Sequence, residues 1–194
     1  MKNKVKIAVF ASGNGSNFQA LYDAIQDGRL DAEIVLVITD KPSAFVLERA
    51  KQAEVSAFSF NPRDYESKQA YESMLVEELE EAEVEWLVLA GFMRLIGPVL
   101  LTAYENRIVN IHPSVLPAFP GKDAIGQTLA AGAKMAGVTV HFVDEGMDTG
   151  AIIAQRSFPV GGAGRETVER KIHEIEHQLY PESLQQLFSR QQSV

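Results

Sequence analysis

The sequence predicts an α/β fold: an open, mostly parallel twisted sheet with helices on both faces and an antiparallel extension late in the chain. Two observations carry this. Short apolar or β-branched runs at residues 5–10, 33–39, 55–60 and 85–90 alternate with longer stretches of helical pattern, as in successive βαβ units. Two later runs, 138–143 and 151–158, are separated by the acidic, glycine-containing loop DEGMDTG instead of a helix, so they are expected to pair antiparallel. Between these groups, residues 98–104 predict a short helix behind Pro98, 108–111 a strand and 123–131 a further helix. A long amphipathic helix over 166–187 closes the pattern.

A chain of 194 residues is expected to form one domain over its whole length, 1–194. Its 46% hydrophobic and 23% charged residues exclude collagen-like, low-complexity and disordered classes. Cysteine is absent, which rules out disulfides, thiolate metal sites and a cysteine nucleophile. The opening MKNK is basic, but the apolar run behind it is broken by SGNGSN and has no small-residue cleavage site, so it is read as a first strand. No apolar run approaches the ~20 residues a membrane span needs, and a cytoplasmic protein is expected. The net charge of −8, with no stripe of Lys and Arg, argues against nucleic-acid partners. Monomer and homodimer both remain open.

The first loop, Ser12 to Asn17, joins a strand to a helix and holds Gly13 and Gly15. Ser16 and Gln19 have capping-box spacing, which predicts a helix start at Ser16 or Asn17. Backbone N–H groups at such a helix N-terminus can cradle a phosphate without a lysine. Phe18 stands where a dinucleotide fingerprint has its third small residue, which weakens that reading, although Asp40 at the end of the second strand keeps a nicotinamide cofactor in play.

Strand alternation puts Asn110 and His112 on one face, so a carboxamide and an imidazole can address one atom. Asp144 and Asp148 follow in the loop after His141, where a carboxylate could meet the His112 ring. Asn, His and Asp with no activated Ser or Cys predict direct acyl transfer, the substrate's own amine attacking. Ser114 lacks a nucleophile-elbow context, and His141, inside the apolar run VTVHFV, is read as structural. His173-Glu174-Ile175-Glu176-His177 matches a zinc-protease helix pattern, but no further histidine follows, Glu182 nearby makes no strong third-ligand context, and no metal is expected.

Four blocks, SGNGSN at 12–17, LAGFMRLIGP at 89–98, NIHPSVLPAFPG at 110–121 and GVTVHFVDEGMDTGAII at 137–153, together resemble the phosphoribosylglycinamide formyltransferases. This is a folate-dependent family of purine synthesis, and the resemblance runs from the first strand to about Pro181. It implies a Rossmann-like formyltransferase fold that moves a formyl group from 10-formyltetrahydrofolate to the amine of glycinamide ribonucleotide. Asn110, His112 and Asp148 are implied as the catalytic trio. Gly15, Ser16 and Asn17 are implied to hold the ribonucleotide phosphate and Glu176 its ribose. Met93, Arg94, Leu95 and Ile96, with Asn110 and the loop Asp144, Glu145, Gly146, Met147 and Asp148, are implied to grip the folate, largely through backbone groups. Lys68 stands where some members carry an arginine near the folate's charged tail; it keeps the charge but loses the bidentate fork. The partners implied are these two small molecules, with no membrane or nucleic acid. Related chemistries, hydrolysis to formate and formylation of methionyl-tRNA, would ask for extra domains, and a non-catalytic nucleotide-binding module is the rival of another class.

Overall fold

The computed structural model describes residues 3–193. Seven strands form one sheet: β1 (Val5–Phe10), β2 (Ala32–Thr39), β3 (Ala57–Ser59), β4 (Trp86–Leu89), β5 (Ile108–His112), β6 (Met135–Phe142) and β7 (Ile152–Pro159). Their spatial order is β3-β2-β1-β4-β5-β6-β7. The first five are mutually parallel, and β6 and β7 add antiparallel.

Parallel strands covered on both sides need apolar residues at every position, and β1 shows this. Ile7 and Val9 face one core with α1 (Ser16–Gln26), α2 (Val46–Gln52) and α6 (Arg165–Gln191). Ala8 and Phe10 face a second core with α3 (Lys68–Glu81) and α4 (Pro98–Ala103). A short α5 (Ala124–Ala130) leads into β6 and packs on α6. No helix among the described residues is long and apolar enough to cross a membrane.

Boundaries differ from the expected ones for local reasons. The edge strand β3 starts at Ala57, not 55, because the Val55 N–H closes the end of α2 on the Ala50 carbonyl at 2.9 Å. β6 begins at Met135, three residues early, with Gly137 inside it. A Cβ there would lie 2.4 Å from the Arg156 carbonyl oxygen of β7, so only glycine allows the strands this close. The capping box does not form. The N-cap of α1 is Gly15, at φ 80°, with no side chain capping the helix, and Gln19 instead accepts from Arg49 and donates to Asp23.

Chain order reverses between β1 and β4, and open α/β sheets bind ligands at such a switch, beyond the carboxyl ends of the strands. The loops after β1, β4 and β5 all emerge there.

Candidate active site

A cleft of about 860 Å³ opens at this switch, walled by those three loops, by the loop between β6 and β7, and by His173 and Glu176 of α6. Asn110 and His112, two apart on β5, both line it, as strand alternation requires. The antiparallel register sets Asn110 opposite His141. A register shift at Val140/His141 in the β6–β7 pair disturbs the ladder beside the site.

Asp148 joins the two histidines. Its Oδ2 is 3.6 Å from His112 Nδ1 and its Oδ1 is 3.7 Å from His141 Nε2. Oδ2 also accepts from the Gly121 N–H at 2.8 Å, which ties the carboxylate to the loop after β5. His112 Nε2 donates to the Phe119 carbonyl at 2.9 Å. Both its ring nitrogens therefore face oxygen acceptors.

His141 is a cleft residue, not the purely structural one expected. Its Nδ1 lies 2.8 Å from the Phe142 carbonyl, which only an N–H can satisfy. Burial pushes its pKa below the usual histidine range, outweighing the opposing pull of the Phe142 carbonyl and of Asp148. The neutral ring then offers its Nε2 lone pair to the Asn110 amide at 3.3 Å, which fixes how that amide points. The sequence carries a signal for this only in the pairing of β5 with β6, a non-local fact.

The opposite wall is the loop after β1. Gly15 combines positive φ with a close approach, since a Cβ there would meet Val46 Cγ2 at 2.6 Å. Arg49 of α2 donates to the Asn14 carbonyl and to Asn14 Oδ1, each at 2.8 Å, and holds the loop from behind. Ser16 and Asn17, the first residues of α1, line the cleft, and among the described residues no side chain caps the helix there. Asn17 donates to Glu176 Oε2 at 2.7 Å across 159 residues of sequence, while its buried Oδ1 has no partner among the described residues.

Burial raises the Glu176 pKa, against the lowering effects of the Asn17 hydrogen bond, His173 and His112. A carboxyl raised in the fold contributes stability that is full below the ordinary carboxylate range and is lost as pH rises through the raised value. Glu176→Gln removes that loss. The melting temperature of the variant relative to the parent is therefore expected to increase as pH rises above the ordinary carboxylate range. Parallel melting curves across that rise would contradict it.

Residues 5–184 match the formyl transferase family model. The chain belongs to the formyl transferase family. It is 52% identical to the phosphoribosylglycinamide formyltransferase of Bacillus subtilis (strain 168), over 94% of each chain. Among solved structures it is similar to glycinamide ribonucleotide transformylase 1 of Geobacillus kaustophilus, with a TM-score of 0.93 and 56% identity, covering 95% of this chain and 99% of that one. It is similar also to the phosphoribosylglycinamide formyltransferase of Bacillus halodurans, with a TM-score of 0.93 and 51% identity over 95% of each. Membership of the formyl transferase family implies a folate-type formyl donor.

In this formyl transferase the segment Met93 to Ile96 forms the cleft wall after β4. The Met93 and Leu95 side chains are exposed, whereas Ile96 is anchored in the core shared with α3 and α4. Asp144, Gly146, Met147 and Asp148 line the facing wall. The Asp144 carboxyl is held below its usual range, chiefly by the Thr149 hydroxyl at 2.6 Å. Two expected folate residues stand apart. Lys68 is the exposed first residue of α3, whose start is fixed by Ser67 capping the Ala70 N–H, and it does not line the cleft. Glu145 is exposed on its loop and does not line the cleft either. Asp40 is not available to a nicotinamide ribose, because both its oxygens are taken within the protein. On α6 the His173 and His177 rings stack with centroids 6.3 Å apart, while Glu176 turns to Asn17. Among the described residues no group of three or more His, Cys, Asp or Glu is placed to hold a metal ion.

Proposed function

We propose that the chain, working as one domain over 1–194, transfers the formyl group of 10-formyltetrahydrofolate to the amine of glycinamide ribonucleotide. The observation that carries this reading is the single carboxylate of Asp148 set between His112 and His141, beside the Asn110 amide, in a cleft whose other wall is an uncapped helix N-terminus. The first group of residues fits an acyl carbonyl, and the second fits a phosphate.

The ribonucleotide phosphate rests on backbone N–H groups of Gly15, Ser16 and Asn17, and Glu176 meets its ribose. The folate lies between the 93–96 segment and the 144–148 loop. Its formyl oxygen points at Asn110 and His112. The neutral amine attacks the formyl carbon, and a tetrahedral oxyanion forms. The Asn110 amide donates to it. So does the Nε2–H of His112, which is not committed to Asp148 and leaves the Phe119 carbonyl for the oxyanion. Each such donor stabilises the transition state by about 3–4 kcal/mol. Asp148 pairs with the charged ring and orders the water that takes the proton from the attacking nitrogen and delivers it to N10 of the folate. The bond between the formyl carbon and N10 then breaks, leaving the formylated ribonucleotide and tetrahydrofolate. Both partners are small molecules, the setting is cytoplasmic, and the protein works as a monomer or homodimer.

Following folate absorbance with and without glycinamide ribonucleotide tests this directly. Turnover of the folate is expected only when the ribonucleotide is present. Formate release without it would mean hydrolysis, and binding of both ligands without turnover would mean a non-catalytic module.

A further inference from the structure

Asp40 follows β2 immediately and is 4% exposed, yet its side-chain hydrogen bonds go to Ser12 and Arg94 and not to the catalytic trio. Instead, two donors from two loops converge on it, and one of them relays a third. The Met93 N–H donates to Ser12 Oγ at 2.9 Å, and the Ser12 hydroxyl donates in turn to Asp40 Oδ1 at 2.6 Å. The Arg94 Nε–H donates to Asp40 Oδ2 at 2.8 Å. Only a carboxylate has two acceptor oxygens and no donor, so no neutral side chain of this length can close the same chain of bonds.

Phe92 and Ile96 pack into the core on either side of the segment it holds, but the residues between them are less constrained. Met93 is 66% and Leu95 52% exposed, so side-chain packing fixes neither. At its far end a second buried carboxylate, Glu72 of α3, accepts from the Gly97 N–H at 2.7 Å and from the Leu100 N–H at 3.3 Å. The stretch between these two anchors lines the cleft. Ser12 also belongs to the loop after β1, so the same network ties the two substrate walls together.

We infer that Asp40 is a positioning residue for the formyl donor: through Ser12 and Arg94 it sets the backbone of residues 93–95 in the shape that receives the folate. This rests on the formyl-transfer reading above. In Asp40→Asn the volume is kept, but the negative charge is lost and one oxygen becomes a donor: the Ser12 hydroxyl must turn to accept from Nδ2, or the Arg94 Nε–H loses its acceptor, so the charge-assisted network behind residues 93–95 is weakened. Calorimetric titration of the variant with tetrahydrofolate is expected to show affinity weakened about tenfold, equivalent to about 1.4 kcal/mol. Ribonucleotide affinity and kcat at saturating folate should stay within about threefold of the parent, since the Arg49 support of the Asn14 loop and the trio are untouched. Amide exchange is expected to speed up in peptides covering residues 91–97. Unchanged folate affinity overturns the inference, and so does equal weakening of both substrates with a lowered kcat, which would mark general loosening. If Asp40→Asn does not fold, Arg94→Met removes one donor and keeps the buried Ser12 bond; unchanged folate affinity there overturns the inference too. Parent protein that binds no tetrahydrofolate would overturn the proposed function itself.

Discussion

Replacing Asp148 by Asn is expected to lower kcat by about 100- to 10,000-fold, the usual range for losing a positioned acid–base group. Ribonucleotide affinity should hardly change. The substitution isolates the charge. Asp148 sits at φ 57°, a left-handed conformation that asparagine tolerates as readily as aspartate, so the loop keeps its path. An asparagine oxygen can still accept from the Gly121 N–H. What is lost is the negative charge 3.6 Å from His112 Nδ1, with its ability to stabilise a charged ring and to order a proton-carrying water. Single-turnover kinetics with saturating substrates would check this, and near-normal turnover would remove Asp148 from the mechanism.

Truncating Asn110 to Ala is the second large effect, with kcat expected to fall by about 100- to 1,000-fold, the loss typical of one oxyanion donor. The fall should appear in kcat and kcat/KM together, because the donor meets its partner only once the oxyanion has formed. Since β5 is held by β4 on one side and β6 on the other, the backbone at 110 should survive the loss of its side chain. His141 then has no amide at its Nε2. A rise in folate KM with kcat unchanged would show that Asn110 binds the ground state only.

The order of strands and helices was legible because buried parallel strands and amphipathic helices leave different periodicities in the chain. The apolar runs around Ile7, Ile34 and Leu87 and the direction change at DEGMDTG are local signals, and the sheet follows them. Asn110 and His112 could be placed on one face for the same reason. What could not be read depended on neighbours distant in sequence. His141 looked like a core residue because its run is apolar; its role emerges from pairing with Asn110 across 31 residues. The Ser16/Gln19 spacing mimicked a capping box, but Val46 packs too closely on residue 15 for anything but a left-handed glycine. Lys68 and Glu145 entered through family resemblance alone, with no periodicity behind them, and both stand outside the cleft wall. Asp40 marked the end of a strand correctly, yet its partners, Ser12 and Arg94, lie on separate loops.

The Arg49 clamp on Asn14 has a thermodynamic consequence for the proposed seating of the ribonucleotide. A recognition loop that must be ordered on contact gives up part of its interaction energy to lost chain entropy. In the proposed function the guanidinium from α2 holds this turn before any ligand arrives, so a phosphate seated there would give up less of its attraction to ordering the chain.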